Sequence, residues 1–254
     1  MITKNAQGMI GQSLVSVRNL VHEIIIVDNC STDNTLEIAK KFGAKIYRYI
    51  GHNLGEQRAY GLKKIKTEWV LVVDSDEIIS KELMLEIMSK LKTSHLVSNT
   101  RDYVRDKQNL KVGYCIPFQN HYFGRKLKYG GENYKKLILF KKSTVKIEPA
   151  LVHESFKIVK GKVGTLKNKV YHYSYNSLYQ MYKKFTDYAL REAKQKVKNG
   201  EKTSFKKIFF YAPHMFWARF IKDKGYKDGF FRLPLDIGFA YMEFLTYFSM
   251  LFYK

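Results

Sequence analysis

Apolar positions in the N-terminal part of the chain alternate between two periodicities. Met1 to Thr3 reads as the tail of a strand that runs straight into a polar turn, as if its beginning were clipped. Ile10, Leu14, Val17 and Val21 then recur at spacings of four, three and four, one face of a helix. Glu23-Ile24-Ile25-Ile26-Val27 predicts a short buried strand ending in Asp28. The turn from Asn29 to Thr35 is rich in capping residues, and the helix after it turns Leu36, Ala39 and Phe42 inward and stops at Gly43. Lys45 to Ile50 predicts a third strand, and Gly55 to Lys66 a third helix with Gln57 and Arg58 near its start. The next strand, Trp69 to Val73, is apolar at five consecutive positions and ends in Asp74-Ser75-Asp76-Glu77. Strand and helix thus alternate over about the first 90 residues, which predicts a parallel sheet covered by helices.

In such sheets ligands lie beyond the carboxyl ends of the strands, where Asp28 and Asp74-Ser75-Asp76 both fall. In extended backbone, side chains two apart point to the same side, so Asp74 and Asp76 can both face one point. Paired hard oxygen ligands suit Mg²⁺ or Mn²⁺ with positions left for substrate phosphates. The bland alternative is a solvated acidic turn.

From Lys92 to Val170 the periodicity weakens, with short strands at Lys111 to Pro117, Leu137 to Lys141 and Val145 to Ile147. Ser177 to Lys198 returns to helix, capped by Ser177, with Leu178, Met181, Tyr182, Phe185 and Ala189 on one face and Gly200 past its end. From Phe205 onward aromatic residues interleave with lysine and arginine. The run Leu233 to Tyr253 reaches the roughly 20 residues that span a bilayer. It holds Asp236 and Glu243, however, and an acid near a helix centre costs about 2.5–3.5 kcal/mol on insertion. A basic, aromatic region lying in the membrane interface is the expectation, set against an ordinary helical pair packed on the core.

Charge narrows the partners. The 254 residues carry 45 Lys+Arg against 23 Asp+Glu, a formal charge of +22, which calls for nucleic acid, anionic lipid or a phosphorylated substrate. Against nucleic acid, the basic residues are spread along the chain, no recognition motif occurs, and two strand ends carry carboxylates. Cys30 and Cys115, without metal-type spacing, suggest a reducing compartment, and the first residues lack the apolar core of a signal peptide.

Ile2-Thr3-Lys4-Asn5, the strand ending in Asp28 with Ser31-Thr32-Asp33, and Leu71-Val72-Val73-Asp74-Ser75-Asp76-Glu77 together resemble inverting family 2 glycosyltransferases of the GT-A fold. The resemblance continues through Gly130-Gly131, Leu151-Val152-His153-Glu154 and Tyr171-His172-Tyr173-Ser174-Tyr175, and more narrowly looks like the bacterial branch that adds sugars to lipopolysaccharide core and related surface glycans. It implies an α/β, mostly parallel GT-A sheet flanked by helices over residues 1–175, with a nucleotide-sugar half to about residue 92, an acceptor half from 93, and a helical, membrane-associating extension over 176–254. It also implies a hexosyltransferase using a nucleotide-diphosphate sugar, UDP by default, and a lipid-linked or core-oligosaccharide acceptor at the inner membrane face.

By the same resemblance Thr3, Asp28, Arg58 and Asp74 bind the nucleotide sugar, and Asp74, Asp76 and His172 hold Mg²⁺ or Mn²⁺. Inversion needs a carboxylate base, for which Glu154 and Glu132 are the candidates, Glu154 preferred. The segment Glu132 to Phe140 departs from the family in lacking an acidic residue and an arginine at the usual places before Leu139-Phe140. A degenerate, catalytically weak scaffold of the same fold is the alternative that this departure raises.

Overall fold

The structure is a computed structural model that describes residues 1–51, 53–98, 111–148 and 155–253. These fall into two compact units, one drawn from residues 1–118, 135–148 and 155–172, the other from 119–134 and 173–253.

The first unit opens with three parallel strands, β1 (Ile2–Thr3), β2 (Ile25–Asp28) and β3 (Lys45–Arg48), in that spatial order. Helix α1 (Ile10–Val17) buries Ile10 and Leu14, and α2 (Thr35–Lys41) buries Ala39, against Ile26 of the central strand. Gly43 ends the second helix at φ +69°, the left-handed conformation that glycine adopts without a Cβ clash. Val21, on the expected apolar face, lies beyond α1, which stops at Val17. Helix α3 (Leu54–Lys64) is capped by the Asn53 side chain. It lies so close to β2 that a Cβ on Gly61 would sit 2.9 Å from Val27, and the buried Gln57 amide donates to the Val27 carbonyl at 2.8 Å.

Strands β4 (Trp69–Leu71) and β5 (Glu77–Ile79) follow, then α4 (Lys81–Ser98), β6 (Lys111–Tyr122), β7 (Arg125–Lys126), β8 (Lys135–Lys141), β9 (Val145–Glu148), β10 (Ser155–Ile158), β11 (Lys162–Thr165) and β12 (Val170–Tyr175). Here the mostly parallel expectation is corrected. β4 pairs antiparallel with β8, β8 with β6 and β5 with β12, in the order β4-β8-β6-β12-β5, while β11 joins β6 in parallel. A strand buried on both faces reads the same in either pairing, so the run Trp69 to Val73 carried no directional information.

The second unit is built on α5 (Leu178–Lys198), α6 (Phe205–Phe216) and α7 (Leu233–Ser249), with the turn of β7 against β6. Met181 and Phe185 of α5 pack with Leu235, Tyr122 and Leu127, and Gly238 lets α7 approach so closely that a Cβ there would lie 2.6 Å from Phe185. Ser177 caps α5 through the Gln180 amide, as its sequence predicts. Among the described residues no helix is long and apolar enough to cross a membrane.

A buried ion cluster ties this unit together. Arg232, fully buried, donates to Asp236 at 2.8 Å, to Asp228 at 3.0 Å, to Glu132 at 3.2 Å and to the carbonyls of Tyr129 and Gly130 at 2.9 and 3.1 Å. Asp228 in turn accepts from the Lys128 and Tyr129 amides. Arg219 pairs with Glu132 and with Asp236. Gly130 has φ +65° and makes room for the guanidinium, since a Cβ there would lie 2.0 Å from Arg232. That accounts for the first glycine of the Gly130-Gly131 pair.

Candidate functional site

In the first unit the loops after β1, β2 and β3 converge at the carboxyl edge of their strands. Asp28 is buried, and its carboxylate accepts from the Ser31 amide at 2.9 Å and from the Ser31 hydroxyl at 2.5 Å. Its in-register neighbour Thr3 is buried with a hydroxyl that has no hydrogen-bond partner among the described residues. A buried polar group left so costs about 1–3 kcal/mol, which a ligand arriving at this edge can recover. The loops themselves are cross-linked. Asn5 accepts from Thr32 N at 2.8 Å, Gln7 N donates to Asp33 at 3.1 Å, Ala6 N donates to the Thr35 hydroxyl at 2.7 Å, and Asn29 donates to the Gly51 carbonyl at 2.6 Å.

The acidic run behaves differently from a simple extended strand. β4 stops at Leu71, and the Glu77 amide donates to the Asp74 carbonyl at 3.1 Å, closing a turn through Ser75 and Asp76. The two aspartates therefore do not share one direction by strand alternation, which corrects that expectation. Both oxygens of Asp74 take the Arg58 guanidinium, at 2.8 Å each. Burial opposes ionisation of Asp74, but Arg58, helped by Lys136, outweighs it and holds the carboxyl well below its usual range. Asp76 instead faces His172, Oδ1 to Nε2 at 3.7 Å. Burial lowers the imidazole pKa, while Asp76 and Glu77 raise it, with a net upward shift. Ser13 of α1 donates to the Asp74 carbonyl at 3.1 Å and fixes the loop from behind.

Residues 1–143 match the family described as Glycosyl transferase family 2. An uncharacterised glycosyltransferase of Rickettsia typhi is 33% identical over 258 aligned positions, covering 96% of this chain and 82% of the relative. The chain belongs to glycosyl transferase family 2. As a glycosyltransferase it is also 34% identical over 79 residues to the poly(ribitol-phosphate) beta-N-acetylglucosaminyltransferase TarS of Staphylococcus aureus, over 29% of this chain and 14% of that protein. The crystal structure of S. aureus TarS 1-349 in complex with UDP-GlcNAc superposes with a TM-score of 0.51 at 14% identity, over 98% of this chain and 88% of that one. That match supports the α/β GT-A fold.

In this family 2 glycosyltransferase the residues expected at the donor edge divide by what holds them. Thr3, Asp28, Arg58, Asp74, Asp76 and His172 all lie in the first unit, and Arg58 serves to position Asp74. Among the described residues no three His, Cys, Asp or Glu side chains are grouped as for a metal. Each carboxylate oxygen of Asp74 accepts one bond from Arg58. Asp76 and His172 remain a carboxylate–imidazole pair that fits a divalent cation taking its other ligands from substrate oxygens and water.

Of the two candidate bases, Glu154 lies outside the described residues. Glu132 is corrected, because its carboxylate accepts from Asn120 at 2.7 Å and is paired with both Arg219 and Arg232. Taking a proton there would forfeit those bonds, so the residue anchors the loop.

Two further residues at this edge carried no role in the sequence. Lys136 acts electrostatically on Asp74, Glu77 and His172, and its ammonium lies 4.9 Å from the centre of the Phe118 ring, which meets His172 edge-on. Glu77 is buried and accepts from the Asp74 amide at 3.0 Å. Its place as the third acid of the run was the available signal.

Burial and the charge of Asp74 push the Glu77 carboxyl from 4.5 up to about 7. Between these values the folded chain holds a proton that the unfolded chain has released, so stability falls as pH rises through the window. The raised His172 adds a loss in the same direction, above its ordinary 6.5. Glu77→Gln is expected to flatten the decline in urea midpoint between pH 4.5 and 7. An unchanged slope in the variant would refute this assignment.

Proposed function

We propose that this glycosyltransferase moves a sugar, with inversion, from a nucleotide-diphosphate sugar to a membrane-held glycan acceptor, in lipopolysaccharide or other surface-polysaccharide synthesis at the inner face of the cell membrane. The observation that carries the donor half is the unpartnered Thr3 hydroxyl beside the oriented Asp28 carboxylate, at the edge that also bears Asp74 and Asp76. The UDP-GlcNAc in the TarS crystal structure favours a uridine donor, with a hexose or N-acetylhexosamine as the transferred sugar.

In this reading Asp28 and Thr3 receive the nucleoside, and Arg58 holds Asp74 toward the ribose. Asp76 and His172 would hold Mg²⁺ or Mn²⁺, which would neutralise charge growing on the leaving diphosphate. Lys136 adds positive charge at the same edge. Glu154 takes the proton of the attacking acceptor hydroxyl. The departure from the family pattern before Leu139-Phe140 keeps the degenerate scaffold as the second reading, and turnover separates the two.

Thermal melting against UDP-, GDP-, CMP- and dTDP-sugars, with and without Mn²⁺, tests the donor site. A ligand at 100 times its dissociation constant adds about 2.7 kcal/mol, and the expected result is an upward shift with the uridine donors that grows with Mn²⁺. A cooperative melt that no donor moves would overturn the donor reading.

A further inference from the structure

We propose that the outer face of α6 and α7 in the second unit is a docking surface for an anionic lipid bilayer. This rests on the reading of a membrane-held acceptor and gives the means by which the enzyme reaches it. Along α6, Phe205 is 80% and Phe209 60% exposed, one turn apart with their rings stacked. Along α7, Phe244 stacks on Phe248, which meets the exposed Phe252 just past the helix. Between the helices runs a groove of about 490 Å³, lined by Phe209, Ala212, Phe216, Ile237 and Phe244 among others. Soluble proteins rarely leave so continuous an apolar strip in water, and strips of this kind mark contact surfaces.

Charge selects the occupant. The stretch from Phe205 to Lys222 carries Lys206, Lys207 and Lys222 and no acidic residue, Arg219 being held by Glu132 and Asp236, while the exposed Lys202 and Lys224 flank it beside Glu201 and Asp223. Of the acids on α7, Asp236 is buried in the ion cluster and Glu243 is partly buried, so neither offers an exposed negative charge to the surface. Helices with an aromatic apolar face and flanking lysines lie in the plane of the headgroups, apolar side down, with the ammonium groups on anionic lipid. A second copy of the chain is the poorer fit. A two-fold interface sets the same patch on itself, which would place one basic face against another.

The test is co-sedimentation of the full chain with phosphatidylcholine vesicles that contain or lack phosphatidylglycerol, run without donor. Binding is expected only to the anionic vesicles and is expected to weaken as salt rises. Phe205→Ser/Phe209→Ser and Lys202→Gln/Lys206→Gln, all at exposed positions, are each expected to lower the vesicle partition about tenfold or more while leaving the melting temperature in place. Equal binding to neutral vesicles, no binding to either kind, or variants that bind like the parent would each overturn the proposal. Self-association in sedimentation velocity that the phenylalanine variant abolishes, with no vesicle binding, would assign the face to a second copy. Because the vesicles are tested without donor, a donor melting shift without vesicle binding leaves the donor site standing and removes only the docking face. The converse result removes the donor reading alone.

Discussion

Asp76→Ala is expected to lower sugar transfer by about 10²–10³-fold or more, the range seen when one preorganised group that stabilises transition-state charge is removed. Asp74 is held by Arg58 through both oxygens, so Asp76 is the aspartate of the acidic run that faces His172 and can share a cation with it. The side chain sits in a turn and is partly exposed, so its loss should leave the melting curve without ligand close to that of the parent. The measurement is the initial rate of nucleotide release from a UDP-sugar with acceptor and Mn²⁺, beside the donor-induced melting shift. Transfer at the parent's rate would remove Asp76 from the donor site. A catalytic loss with the donor shift intact would place its effect in the chemical step, with little in binding.

Arg232→Met is expected to destabilise the second unit by about 3–5 kcal/mol, because breaking a buried ion pair strands the remaining charges away from water. Arg232 and Asp236 are both fully buried, and the same guanidinium holds Asp228, Glu132 and two loop carbonyls. Methionine matches the length of the side chain and removes its donors. A urea titration of parent and variant gives the difference, and Arg232→Met/Asp236→Leu should recover part of it, since removing both charges leaves less stranded. A single variant as stable as the parent would show that Arg219 and water carry the cluster unaided.

The parallel strands and their helices were legible because each buried one face against a single layer. Ile10, Leu14, Ile26 and Ala39 are all fully buried at the positions their spacing marks. The helix from Leu178 to Lys198, with its Ser177 cap, was equally plain, although Leu178, assigned inward, is exposed. The sheet's mixed direction was not legible, because pairing direction is set by partners that lie far along the chain, as Val70 beside Phe140 shows. At the candidate site, the split between Asp74 and Asp76 depended on a turn that no periodicity encodes. Glu132 misled for a related reason. An acid after two glycines looks available until Arg219 and Arg232, both about a hundred residues away, are seen to claim it.

The bonded loops after β1 and β2 also bear on affinity. Asn5, Ala6, Gln7, Thr32, Asp33 and Thr35 satisfy one another across the two loops before any ligand arrives. The backbone entropy of this stretch, about 1–2 kcal/mol per residue fixed, is lost on folding and need not be lost again on binding. In the proposed donor reading the floor under the nucleoside is thus preorganised, and little of the donor's binding energy has to be diverted into ordering it.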